Sequence, residues 1–208
     1  MVDMHKLSHA ERKRVEAAIA AAEKSTTAEF VAVVAARADR YHVASLAAGI
    51  IAAVLVTLLL IWLDPWASVP TALAAQCVAF GIVYGVSEIT PLAVRLAPRH
   101  AREAKARRLA HLLFLDRGLA SLPGRNGVLL LVALAERQVE IVADRGVDSL
   151  VGGSEWRRIV DTFAASARSS SVGAALEVAI CDLGSLLARH FPAGPGDRSH
   201  VPDRLIEL

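Results

Sequence analysis

The chain has 208 residues, of which 54% are hydrophobic and 21% charged, and its formal net charge is +2. That charge is too small to suggest a nucleic-acid partner, and the basic residues are grouped rather than spread. Two cysteines, Cys77 and Cys181, offer no obvious disulfide pair, which suits a reducing compartment. The mean hydropathy of +0.44 comes largely from residues 43–87. Residues 1–42 and 88–208 remain, enough for one globular domain with its own core.

Residues 1–7 read as a short arm. Ser8-His9-Ala10-Glu11 is a capping box, in which Ser8 accepts the N–H three residues on and Glu11 reaches back. A helix to about Lys24 follows, with Val15, Ala18, Ile19 and Ala22 as its apolar stripe. Ser25-Thr26-Thr27 breaks it. Glu29 to Ala36 is short, β-branched and apolar, the pattern of a strand covered on both faces.

Val43–Leu63 and Val69–Ser87 are two runs without a charge, separated by Asp64-Pro65-Trp66-Ala67-Ser68. About 20 apolar residues suffice for a helix to cross the hydrocarbon core, and in lipid only a helix pairs every backbone group within itself. Ser45 and Thr57 are the only polar side chains of the first run, so it lacks the polar stripe of a helix on a soluble domain. The pair reads as a transmembrane hairpin. Lys24, Arg37 and Arg40 precede it, and Arg95, Arg99, Arg102, Lys105, Arg107 and Arg108 follow it, whereas the connecting loop has no Lys or Arg. The positive-inside rule then sets both termini in the cytoplasm and the Asp64 turn outside, which predicts an inner-membrane protein with two spans. Trp62 and Trp66 at the turn, and Tyr41 and Tyr84 near the other interface, fit an aromatic belt.

Beyond the hairpin, Thr90-Pro91 and Ala97-Pro98 mark turns. Arg99 to Leu115 reads as an amphipathic helix with Leu109, Leu112 and Leu113 on its apolar face. Arg99, Arg102, Lys105 and Arg108, at i, i+3 spacing, are its candidate lipid-contacting residues. A solvated positive face that only sets topology is the plainer reading. Residues 121–127 form a loop by their Gly and Pro content. Val128–Ala135 is a second buried strand, Glu136-Arg137 a tight connection, and Gln138–Ala143 a half-exposed strand, so the two form a hairpin. Ser154 is the expected cap of a helix from Glu155 to about Ala167, and a last helix runs from Gly173 to about His190. Residues 192–208 are expected to be a flexible tail.

The order of elements predicts an α/β fold: an α/β sandwich with a small mixed sheet, interrupted by the two-helix transmembrane hairpin. The first strand and the second, joined through a helix, are expected to be parallel. The divisions are residues 1–42, the first part of the domain; 43–90, the hairpin; 91–191, the remainder; and 192–208, the tail.

Arg125-Asn126-Gly127-Val128-Leu129-Leu130-Leu131-Val132-Ala133, then Glu136-Arg137-Gln138-Val139-Glu140-Ile141, then Asp144-Arg145-Gly146-Val147, resemble the core signature of the TPM domain family. The opening helix with Thr27-Ala28-Glu29-Phe30-Val31-Ala32-Val33, and Trp156-Arg157-Arg158-Ile159-Val160, resemble it as well. The resemblance covers residues 8–42 and 100–191. It implies an α/β/α sandwich, in a family with weak phosphatases, calcium binders and proteins that maintain membrane complexes. The chain departs from the usual exported members, because its anchor is an internal hairpin and its domain is expected to face the cytoplasm.

A catalytic constellation is not legible. GxSxG, Walker, GxGxxG, HExxH and CxxC motifs are all missing from the sequence. Asp116, Asn126, Asp144, Asp148 and Glu155 are the candidate oxygen ligands for a divalent cation, calcium or magnesium. Each also has a local role as turn former, strand end or helix start. Ligands in open α/β sheets bind beyond the carboxyl ends of parallel strands. By that rule the segments after Ala36 and Ala135 share one rim, and the Asp116 and Asn126 loop and the Asp144–Asp148 turn share the other. The leading functional expectation is a binding, assembly or quality-control module for membrane proteins at the cytoplasmic face. Its partners would be the bilayer and integral membrane proteins, with no nucleic acid. A weak metal-assisted phosphatase is the alternative.

Overall fold

The computed structural model describes residues 7–66, 68–90, 92–194 and 205–208. In chain order the elements are α1 (His9–Glu23), β1 (Glu29–Ala35), α2 (His42–Leu63), α3 (Val69–Ile89), α4 (Leu92–Leu96) and α5 (Arg99–Asp116). A 3-10 turn (Leu119–Ser121), β2 (Gly127–Ala133), β3 (Gln138–Ala143), α6 (Arg145–Asp148), α7 (Gly153–Ser169), α8 (Val172–His190) and β4 (Leu205–Glu207) follow. They form two compact units, residues 1–38 with 105–208, and residues 39–104.

The first unit is built on a four-stranded mixed sheet of order β3-β2-β1-β4. β1 pairs in parallel with β2, Phe30 opposite Val128 and Val34 opposite Val132. β3 returns antiparallel to β2 through the four-residue turn 134–137, longer than the expected Glu136-Arg137 connection because β2 ends at Ala133 and not at Ala135. Every residue of β1 and β2 is buried, because both faces of the sheet are covered. Side chains alternate between those faces. Phe30, Ala32, Val34, Val128, Leu130 and Val132 meet α1, α7 and α8, whose buried residues include Ile19, Ile159, Leu176 and Leu183. Val31, Val33, Leu129 and Leu131 meet Ala110, Leu113 and Phe114 of α5, with Leu119 and Leu122 beyond it. Helices on both faces make the expected α/β/α sandwich.

Local sequence explains the helix starts. Ser8 caps α1 in the full capping box, Ser171 caps α8 and Asp144 caps α6. The cap of α7 differs from expectation: Gly152 holds the position without a side-chain bond and Ser154 lies inside the helix. Glycine serves nearly as well as serine there, because it leaves the terminal N–H groups open to solvent.

The tail is also corrected. Residues 195–204 lie outside the described residues, but Leu205–Glu207 form β4, paired in parallel with β1 so that Leu205 faces Ala32 and Glu207 faces Val34. Leu208 closes the pairing, its N–H donating to Val34 O at 2.9 Å and its carbonyl accepting from Ala36 N at 2.7 Å. An apolar strand edge gains ladder bonds from such a segment, and three residues carry too little periodicity to be recognised alone.

The second unit holds α2 and α3, packed against each other across the turn at Asp64. With 22 and 21 residues, both are long and apolar enough to cross a membrane. Leu55, Leu58, Ile61, Leu73, Val78 and Ile82 are all more than half exposed, as on helices that meet no protein partner on those sides. Gly49 lets the Phe80 ring approach: a Cβ there would stand 2.8 Å from it. Gln76 Nε2 donates to Thr57 Oγ1, joining one polar side chain from each helix. Tyr41, Ser45 and Ser87 are buried at the base, where His42 Nδ1 lies 3.2 Å from Glu88. α4 belongs to this unit rather than to the sheet domain. It buries Ala93 and Val94 and contacts both α2 and α3, so the boundary falls near residue 104 instead of at 90.

Candidate functional site

The register places the two rims as expected. β1 and β2 start together, Glu29 opposite Gly127, and antiparallel β3 ends beside them with Ala143 opposite Val128. The loop before β2 and the turn after β3 therefore meet at the amino rim of the parallel pair. Asp144 is the centre of that meeting and is 6% exposed. Its N–H donates to Gly127 O at 2.9 Å, and its Oδ1 accepts from Arg145 N at 2.6 Å. The Arg125 guanidinium lies 3.8 Å from the same oxygen. Oδ2 is buried and has no hydrogen-bond partner among the described residues.

Asn126 lies between Arg125 and Gly127 in the same loop, its Nδ2 donating to Thr27 O at 2.5 Å. That bond ties the loop to the entry of β1. Arg125 holds φ at +48°, a left-handed conformation that swings its side chain back toward Asp144. Gly146 closes the approach: a Cβ there would sit 2.3 Å from Arg125 O. The loop and α6 are therefore in backbone contact, and glycine is the residue that allows it.

The other three candidate ligands do different work. Asp148 ends α6, exposed, its N–H donating to Asp144 O at 2.9 Å. Asp116 ends α5, its side chain 74% exposed and 3.8 Å from Arg117. Glu155 sits in the first turn of α7, with Arg158 Nε at 3.4 Å. α5 and α7 cover opposite faces of the sheet, so Asp116 and Glu155 belong to different layers. Among the described residues, no group of three or more His, Cys, Asp or Glu stands close enough to hold a metal ion. A calcium ion asks for six to eight oxygens and magnesium for near-ideal octahedral geometry. One buried carboxylate with an arginine beside it does not fit either ion.

The carboxyl rim carries a residue that the sequence hides as part of a tight turn. Glu136 is 1% exposed; its Oε2 accepts from Ala38 N at 3.1 Å, and its Oε1 is buried without a partner among the described residues. It satisfies the backbone where the chain leaves β1. The signal was a carboxylate between two strongly apolar runs, a place where burial is hard to avoid. Arg125 was likewise legible only as a loop cation.

The candidate lipid-contacting residues lie on α5, but they wind around it. At 100° per residue, three-residue steps drift by 60°, so Arg99 and Arg108 face opposite ways. Arg99 and Arg108 are exposed, whereas Arg102 and Lys105 are half-buried. Arg99 Nε pairs with Glu103 at 3.0 Å, and the neighbouring Arg107 lies 3.7 Å from Glu140 of β3.

A mixed four-stranded sheet between helical layers, with a buried acid at its amino rim, defines the class as an α/β/α domain. Comparison with known families places it more closely: residues 91–185 match the family model of the TPM domain, and the chain carries a TPM domain. The match begins after α3, so α1 and β1 lie outside it, and β1 pairs with β2, which lies within it. The NMR structure of the BA42 protein from the psychrophilic bacterium Bizionia argentinensis is similar in fold. Its TM-score is 0.61 at 17% identity, covering 100% of this chain and 99% of that one. Comparison with curated proteins gives no match.

Proposed function

We propose that this chain is a membrane-anchored TPM-domain protein that acts as a binding, assembly or quality-control module for integral membrane proteins at the cytoplasmic face of the inner membrane. The observation that carries the reading is the unit of residues 39–104, whose two membrane-length helices keep their apolar side chains exposed. Exposed leucines are costly in water and favourable in lipid. The turn between the helices has no Lys or Arg while both flanks do, which supports cytoplasmic termini. On the domain itself Leu112 and Leu115 of α5 are 55% and 64% exposed, apolar surface of the kind a protein partner covers.

Membrane fractionation with an alkaline carbonate wash tests the anchor: the chain stays with the pellet, and release into the supernatant sinks the reading. A photo-crosslinker at His111 tests the partner. Adducts with integral membrane proteins should form and be lost in a Leu112→Asp, Leu115→Asp variant, whereas adducts that persist unchanged would remove this surface from the account.

A weak metal-assisted phosphatase is the second reading, favoured by the buried Oδ2 of Asp144, which has no hydrogen-bond partner among the described residues. Calcium and magnesium titration of the full chain in detergent, followed by thermal shift, separates the two. Among the described residues no carboxylate cluster stands ready for the ion, so the expected response is flat. A saturable shift that disappears in Asp144→Ala would favour the enzyme.

A further inference from the structure

The base of the hairpin carries a charge imbalance. Arg40, Arg95, Arg99 and Arg102 stand there against Asp39, Glu88 and Glu103, whereas Asp64 is the only charge at the far turn. The acids are engaged. Glu88 pairs with His42 and Glu103 with Arg99, and Asp39 accepts from Arg40 N at 2.7 Å. Two of the cations are not. Among the described residues Arg95 has no ion-pair or hydrogen-bond partner, and the Nε of Arg102 is occluded with no acceptor.

Their surroundings are amphipathic. α4 buries Ala93 and Val94 against the hairpin and turns Arg95 and Leu96 outward, Leu96 being 53% exposed. Ile89, at the end of α3, is 84% exposed, and Val43 at the start of α2 is 81% exposed. Exposed aliphatic side chains beside unpaired guanidinium groups, at the end of two membrane-length helices, are what the headgroup layer accommodates: the stems lie in the acyl boundary and the charges reach the phosphates. A guanidinium fork also matches phosphate geometry better than a lysine does.

We propose that α4 and the start of α5 form a binding surface for anionic phospholipid headgroups, with Arg95 and Arg102 as the phosphate-binding residues. The inference rests on the membrane reading above. It differs from a row of four cations along α5, because Lys105 and Arg108 lie outside this unit.

The full-length protein is placed in nanodiscs of phosphatidylcholine alone, or of phosphatidylcholine with one part in three of phosphatidylglycerol, and backbone hydrogen exchange is read over residues 92–104. Phosphatidylglycerol should slow exchange there about tenfold, since each cation at the surface strengthens attraction several-fold. The protection should shrink at high salt, vanish in an Arg95→Gln, Arg102→Gln variant and persist in Arg108→Gln. Arg95→Lys, Arg102→Lys keeps the charge and should retain part of the protection, which guards against a merely misfolded glutamine variant. Equal exchange in the two kinds of disc overturns the proposal while leaving the anchor standing. So does equal protection by inorganic phosphate in phosphatidylcholine discs, or loss of protection in Arg108→Gln. Failure of the protein to enter either disc overturns the anchor and this surface together.

Discussion

Glu11 shows how one side chain joins two helix starts. Its Oε2 accepts from Ser8 N at 2.9 Å and Ser8 Oγ at 2.6 Å, closing the capping box of α1. A hydrogen bond with the Ser171 side chain, the cap of α8, is the largest influence on it, followed by Ser8, and together they hold its carboxyl at about 2. A carboxyl depressed in the folded state stabilises the fold at neutral pH, and that stabilisation fades as pH falls from the usual carboxylate range toward 2. Urea unfolding at pH 6 and pH 3 should therefore show a smaller loss of stability on acidification in Glu11→Gln than in the parent chain; equal losses would remove Glu11 from the acid response. Gly146 is a second point where one atom decides. A Cβ 2.3 Å from Arg125 O forces the loop away from α6, so Gly146→Ala should lower unfolding stability by about 1–3 kcal/mol. An unchanged urea midpoint would show that the loop yields freely.

At the scale of elements, β4 is the least expected part of the sheet. Leu205 is 9% exposed and sits opposite Ala32, joining the core of α1 and α8. Leu205→Ala should cost about 2 kcal/mol in urea unfolding, the low end for a buried leucine because the strand lies at an edge. A change below measurement would mean that β4 contributes pairing and little packing. The hairpin makes the opposite point. Its length, its apolar runs and the Asp64 turn are local properties, and α2 and α3 begin and end within two residues of the charge-free segments.

For the whole molecule, the division into two units has a direct consequence. The sheet domain has its own two-sided core, drawn from residues 7–38, 105–194 and 205–208. Replacing residues 39–104 by a flexible Gly-Ser linker should yield a domain that needs no detergent and unfolds cooperatively. Aggregation without a cooperative transition would show that the hairpin is needed for the domain to fold. The inserted unit also separates β1 from its neighbour in the sheet. Its partner β2 follows nearly a hundred residues later, yet their registers match from Glu29–Gly127 to Ala35–Ala133.

The sequence by itself determined what depends on neighbours in the chain. That includes the capping box at Ser8, the apolar strands, the β2–β3 hairpin, the two membrane-length helices and the likeness of residues 125–147 to the TPM signature. Short-range periodicity and turn chemistry carry that information. Only the tertiary structure decided what depends on convergence. It brought Asn126, Arg125 and Asp144 to one rim, set Asp116 and Glu155 on opposite layers, buried Glu136 and added β4 to an edge. A carboxylate in a loop looks the same in sequence whether it faces water, an arginine or other acids. What it meets is fixed by register and by which face of the sheet its element covers.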